Sequence, residues 1–315
     1  MSSPFISICI PTYKNVDYLQ RLLQSIVIQT FKDYEIVVTD NSPDNSVEQL
    51  VKQFYSHLLI RYYKNDPPTN MGENFNLVLQ KATGKWIKII HDDDWFANKE
   101  SLQYFADAAK RFPEYDFIFS AYNNVDLITG KTEKHEMDSR KKMVLQSSFY
   151  NLFFDNVIGH PSTVMHKNAG ILYDPIFKWV IDIDFYIRFL KDHPRWHYIS
   201  HPCINIGIDS SQFSNKYYKN PFVEIPEYFM LLKKLPLTPE DNQYIFHALW
   251  LLVRKFKIKN LEQIRNAGYE NDVPDVIFKI IKYQKPIPRL IIKQTPFSNY
   301  FMKKCYAKVH QALYK

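Results

Sequence analysis

Three carboxylates stand in a row at Asp92-Asp93-Asp94, directly behind the apolar run Trp86 to Ile90 and His91. Adjacent carboxylates repel one another, so the cluster is costly unless something neutralises it. A hard divalent cation with oxygen ligands would do so. The same cation would relieve repulsion between these acids and a diphosphate, and would stabilise charge building on a departing phosphate group. The other reading of the triplet is a solvated acidic turn capping the helix expected near Asn98.

The elements that must position this triplet follow a regular alternation. Apolar runs at Phe5 to Ile10, Tyr34 to Thr39, Leu58 to Tyr63, Trp86 to Ile90 and Asp116 to Ser120 read as strands. Between them Leu19, Leu22, Leu23 and Ile26, then Val47, Leu50, Val51 and Phe54, then Phe75, Val78, Leu79 and Ala82, then Leu102, Phe105, Ala106 and Ala109 recur at helical spacing. Strand-helix alternation predicts an α/β fold, with a mostly parallel sheet and helices on both faces. Ligands of such sheets sit beyond the carboxyl ends of the strands. Those ends carry Pro11-Thr12-Tyr13, Asp40-Asn41-Ser42 and His91 to Asp94. Residues 121 to 225 read as mixed strand and loop around one helix, and from 226 the chain turns helical. Thr238-Pro239-Glu240-Asp241 predicts a helix start by its cap, its proline and its acids.

The chain has 315 residues, 46% of them hydrophobic and 16% aromatic, enough for a large core and against global disorder. Forty basic residues against 33 acidic ones leave +7. Cys9, Cys203 and Cys305 have neither metal-ligand spacing nor a disulfide framework. The amino terminus shows no secretory signal, and no apolar stretch is long enough to span a membrane, so a cytoplasmic protein is expected.

The segments Ile8 to Tyr13, Val37 to Ser42, Asn70-Met71-Gly72 with Asn76 and Ala82-Thr83-Gly84, and Ile90 to Trp95 stand in register. Together they resemble the inverting family 2 glycosyltransferases of the GT-A fold, a nucleotide-diphospho-sugar transferase fold. The resemblance implies a catalytic domain over 1–225, with a nucleotide-sugar half at 1–120 and an acceptor half at 121–225, followed by a helical, basic region at 226–315. It assigns Pro11, Thr12, Tyr13, Asp40, Asn70, Asp92 and Asp93 to the donor nucleotide. Asp94, with Asp92, would hold Mn2+ or Mg2+. His91 departs from the family's commoner acidic residue, and Glu73 to Asn76 lack a frequent arginine.

In this family the catalytic base lies in an acidic pair before a helix carrying a later arginine. The matching stretch is Trp179 to Leu190, and Asp182 takes the position of the base. Its apolar neighbours would make it more basic. Asp184 is expected to pair with Arg188 at helical spacing. His160 and Ser162 are candidates to contact acceptor or donor, and Asp209 stands near a loop that closes over the diphosphate in relatives.

From Val276 to Lys315 there are nine basic residues and no acidic one, interleaved with apolar side chains. Two readings stand side by side: an anionic membrane face, or a solvated basic face on packed helices. No motif supports nucleic acid as a partner. The function implied is transfer from a nucleotide sugar, with UDP first, to a saccharide or lipid-linked saccharide in surface polysaccharide (capsule or O-antigen) synthesis. The protein would be cytoplasmic, with peripheral attachment to the membrane's inner face one outcome. The alternatives are a nucleotide-sugar-binding protein without catalysis and a basic membrane-docking scaffold.

Overall fold

The computed structural model describes residues 3–209 and 216–312. Two compact units divide the described chain. One takes residues 3–143 and 157–209; the other takes 144–156 and 216–312.

The first unit begins with β1 (Ile6–Thr12), α1 (Val16–Val27), β2 (Tyr34–Asp40), α2 (Ser46–Gln53), β3 (Ile60–Lys64), α3 (Met71–Lys81) and β4 (Trp86–Ile89). These four strands run parallel in the order β3-β2-β1-β4. β1 is buried along its whole length, the mark of a parallel strand covered on both faces. Leu19, Leu22, Leu23 and Ile26 are the buried stripe of α1, as their spacing predicts. Next come β5 (Trp95–Phe96), α4 (Ser101–Arg111), β6 (Phe117–Asp126), β7 (Thr132–His135), the start of α5 (Ser139–Ser147, which passes into the second unit at Val144), β8 (Val164–Lys167), α6 (Ile181–Asp192) and β9 (Trp196–Ile208). β8 lies antiparallel between β4 and β6, and β9 pairs parallel with β6. The result is the α/β architecture expected, a mixed sheet whose first four strands are parallel.

The stretch after residue 120 holds more order than its sequence suggests. β9 runs for 13 residues through Pro202, and its pairing with β6 slips near Ser120 and Ala121. A bulge of this kind lets proline sit in a strand and hides the strand from pattern reading. α5 escapes notice because, among its nine mostly polar residues, only Val144 and Leu145 are buried.

A latch closes the amino-terminal ends of the strands. Glu35 accepts hydrogen bonds from Ser7 Oγ at 2.5 Å, Thr83 N at 2.6 Å and Arg61 Nη1 at 2.6 Å. Gly84 is required there, since a Cβ would lie 2.6 Å from Ser7 N. Ala82-Thr83-Gly84 is therefore part of the frame, on the far side from the acidic triplet. Burial opposes the Glu35 charge, yet these bonds hold its carboxyl below the ordinary 4.5. A depressed carboxyl stabilises the fold above its unfolded pKa, and that contribution is lost as pH falls through the folded value. Glu35→Gln should lower stability at pH 7 by about 1 kcal/mol. It should also flatten the wild type's loss of stability below pH 4.5, measured by urea unfolding across pH.

The second unit is helical: α7 (Pro221–Lys234), α8 (Gln243–Phe256), α9 (Leu261–Asn266), α10 (Asp275–Gln284), α11 (Arg289–Ile292) and α12 (Thr295–Gln311). Ile245, Phe246, Leu249 and Trp250 of α8 are fully buried, and Trp250 Nε1 donates to Ser298 Oγ at 2.9 Å. The helix start expected at Thr238 is corrected. Thr238 Oγ1 turns onto Asp241 at 2.7 Å, and Asn242 caps α8 instead, accepting from Tyr244 N and Ile245 N at 2.9 and 3.0 Å. Residues 144–156 are built into this unit. Phe153 stacks edge-on with Tyr228 at 5.4 Å, and Phe154 stacks on His247 at 4.6 Å. No described helix is long and apolar enough to cross a membrane. The three cysteines are buried and unpaired.

Candidate active site

β1, β2 and β4 end side by side, which brings their following residues together. After β4 the chain turns sharply, with Asp94 N donating to His91 O at 3.2 Å. The turn separates Asp92 from the other two carboxylates. Asp92 turns toward β1, where its Oδ2 accepts from Thr12 Oγ1 at 2.6 Å and from Tyr13 N at 3.1 Å. Asp94 turns the other way, its Oδ1 accepting from Gly207 N of β9 at 3.3 Å. His91, Asp93 and Asp94 each offer one ligand atom, all within 4.8 Å of one another.

Burial and mutual repulsion outweigh the hydrogen bonds made by two of these acids. Burial, then Asp93, pushes the Asp92 carboxyl up to about 7. Burial, then Asp93, also raises Asp94 well above the ordinary carboxylate range. Burial, then Lys88, lowers His91 to about 4, which keeps the imidazole neutral and able to ligate. Its Nε2 is buried without a hydrogen-bond partner. A neutral nitrogen and two carboxylates form a donor set suited to a divalent first-row metal. The residues present therefore fit a cation; Asp92, expected as a second ligand, is outside the converging group and is held by Thr12 and Tyr13.

Three residues that sequence reasoning passed over hold this turn. Lys88 is buried in β4 and donates to Ile89 O at 3.0 Å and to Ser162 O. Burial lowers its pKa to about 7, against the pull of Asp94. Arg21 of α1 lies over the Trp95 ring at 3.8 Å and donates to Asp93 O at 2.9 Å. Gly207 lets β9 approach so closely that a Cβ would stand 2.5 Å from Asp93 O. Gly207→Ala must therefore move backbone. We expect a loss of about 1–3 kcal/mol in urea unfolding, the usual cost of overpacking. The one sequence signal was Lys88 itself, a charge inside an apolar strand.

The remaining candidates divide. Ser162 is fully buried and accepts from His91 N at 2.9 Å. His160 is exposed beside it, edge-on to Tyr122 at 5.6 Å. Asp209 directly follows β9 and accepts from Tyr18 OH; the residues after it in the expected segment, Ser210 to Gln212, lie outside the described residues. Pro11 is buried and Tyr13 is 51% exposed at the rim. Asp40 is fully buried and already accepts from Ser42 N, Tyr62 OH and Lys64 Nζ at 2.8, 2.7 and 2.9 Å. Asn70 is committed to a capping box with Glu73 at the start of α3. Asn76 instead clamps Tyr173, giving Nδ2 to its carbonyl at 2.9 Å and taking its N–H at 2.8 Å.

Asp182 occupies the first turn of α6, half-buried, its Oδ1 accepting from Ile183 N at 2.9 Å. Tyr173 and Tyr186 both feel its charge. Tyr173 contacts Phe75 at 5.3 Å, and Phe75 stacks on His91 at 5.1 Å. Two ring contacts therefore connect the surroundings of Asp182 to the acidic turn. Asp184 takes Arg188 Nε at 2.8 Å, as the spacing predicts.

The family model described as "Glycosyl transferase family 2" matches residues 7–172. An uncharacterized glycosyltransferase of Rickettsia typhi is 24% identical over 195 residues, covering 60% of this chain and 59% of that protein. An uncharacterized glycosyltransferase of Methanocaldococcus jannaschii is 26% identical over 209 residues, covering 63% of this chain and 69% of that protein. Coverage of some relatives is smaller, 17% for one from Rickettsia bellii that is 29% identical across 38% of this chain. Among solved structures, S. aureus TarS 1-349 in complex with UDP-GlcNAc superposes with a TM-score of 0.65 at 18% identity, over 98% of this chain and 91% of that one. Mannosyltransferase PcManGT of Pyrobaculum calidifontis, in complex with GDP-Man and Mn2+, gives 0.54 at 13% identity, over 99% and 87%.

Proposed function

Because this chain belongs to glycosyl transferase family 2, we propose that it transfers a sugar, with inversion, from a UDP-linked donor to a hydroxyl of a saccharide or lipid-linked saccharide. Surface polysaccharide synthesis is the process such a reaction serves. The observation that carries this reading is the convergence of His91, Asp93 and Asp94 ligand atoms within 4.8 Å, beside an Asp92 already oriented by Thr12 and Tyr13. The UDP-GlcNAc in TarS supports a UDP sugar, and the Mn2+ in PcManGT supports a divalent ion.

When bound by His91, Asp93 and Asp94, Mn2+ or Mg2+ would offset the charge of the diphosphate and of the departing nucleotide. Thr12 and Tyr13 N fix Asp92 on the nucleotide side, where it can accept from the ribose. Pro11 and the exposed Tyr13 ring form the edge of the base pocket, and buried Asp40 holds its floor. Ser162 keeps the acidic turn in shape, and His160, edge-on to Tyr122, is the candidate to contact acceptor or donor. Asp182 takes the proton of the acceptor hydroxyl as that oxygen bonds to the anomeric carbon. The anomeric C–O bond breaks, and its electron pair leaves with the diphosphate.

The test is a thermal-shift screen of UDP-, dTDP- and GDP-sugars with Mn2+, Mg2+ or chelator. A ligand bound only by the native state raises its stability by mass action. We expect a UDP-sugar to raise the midpoint with Mn2+ and to lose that effect with chelator. A folded sample indifferent to every nucleotide sugar under every ion would remove the enzymatic reading.

A further inference from the structure

The helical unit displays a corner that its own core does not need. From the end of α10 into the first turn of α12 the chain runs from Lys285 to Phe297, and Ile292 is the one buried side chain of that stretch. Leu290 is 81% exposed, Phe297 50% and Ile291 37%. Lys285, Arg289 and Lys293 are exposed among them. Isolated apolar side chains on a surface need no explanation. Here two adjacent aliphatic residues are flanked on both sides by cations, which is a pattern rather than scatter.

The display is built into the backbone. Pro286 and Pro288 stiffen the approach. Ile291 N and Ile292 N both donate to Pro288 O, at 2.9 and 3.1 Å. Arg254 Nη1 holds Ile292 O at 3.3 Å, fixing the corner to α8. The neighbouring Ile287 lines a pocket of about 480 Å3 that combines the apolar faces of Tyr283 and Phe301 with Lys282 and Lys308. No acidic residue occurs from Val276 onward, so nothing in that stretch repels an anion.

A surface that offers both aliphatic tips and cations matches a bilayer boundary, where acyl chains begin just below lipid phosphates. Nucleic acid fits less well, because the most exposed side chain is the aliphatic Leu290 and not a stacking ring. We propose that the corner Lys285 to Phe297 docks this protein on an anionic lipid bilayer. Leu290 and Ile291 enter the headgroup boundary, and Lys285, Arg289 and Lys293 hold lipid phosphates. This inference stands apart from the transfer reaction, since it involves no residue of the acidic turn.

Co-sedimentation of the full chain with vesicles tests it. One set is phosphatidylcholine alone; the other adds phosphatidylglycerol. Binding should need phosphatidylglycerol and should weaken with salt. Leu290→Asp combined with Ile291→Asp should reduce binding about tenfold or more, with an unchanged unfolding midpoint. A second variant, Leu290→Trp, should show blue-shifted fluorescence on adding the anionic vesicles and none on adding neutral ones. Equal binding to both vesicle types, full binding by the double variant, or an unshifted tryptophan would overturn the proposal. So would retention by duplex DNA without vesicle binding.

Discussion

Replacing Asp94 with Asn should lower sugar transfer by about 10^3-fold and at the same time make the metal-free protein more stable. Both effects come from one charge. Asp94 is 2% exposed, and burial disfavours its ionised form. Without a cation, the fold bears that cost along with repulsion from Asp93. The amide keeps nearly the same volume and can still accept from Gly207 N, so the turn should survive. Relief of the buried charge should add roughly 1 kcal/mol to unfolding in chelator. The Mn2+-dependent stabilisation by a UDP-sugar should disappear. Transfer assays and urea unfolding with and without Mn2+ check the two halves separately. Retained transfer in Asp94→Asn would mean that the cation is held elsewhere or is not used.

Asp182→Asn should divide the reaction differently. A general base contributes about 10^2 to 10^4 in rate, so transfer should fall by that much while donor binding stays nearly constant. Such a split follows if the proposed roles hold, because Asp182 stands on α6 near Tyr173 and Tyr186, whereas Asp92 and its partner Thr12 belong to the turn after β4 and to β1. A thermal shift with UDP-sugar and Mn2+ equal to wild type, combined with a collapsed turnover, is the expected result. Parallel loss of binding and turnover would instead make Asp182 a structural residue of the helix start.

The first half of the fold was legible because its strands are buried on both faces and its helices on one. Ile6, Ile8 and Ile10 of β1 and Leu19, Leu22 and Leu23 of α1 are fully covered, and local patterning reports such burial directly. The later half was not, since β9 depends on a slipped pairing with β6 that tolerates Pro202. At the site, the sequence identified the acidic turn but not its internal division. Which way Asp92 turns is decided by Thr12 and Tyr13, about eighty positions earlier in the chain. His91 read as a departure from a family pattern, and only the geometry joins it to Asp93 and Asp94. Arg21 and Gly207 likewise owe their importance to neighbours distant in sequence.

Residues 144–156 belong to the helical unit although the strands β8 and β9 follow them in the chain. During translation, Leu152 and Phe153 therefore leave the ribosome well before Tyr228 and the α8 residues that will cover them. The nascent chain must carry this apolar segment uncovered while the strands that follow it in sequence are made, an interval in which chaperones or misassociation compete for it. The helical unit therefore cannot mature until its last helices have been made, even though its first segment is among the earlier parts of the chain.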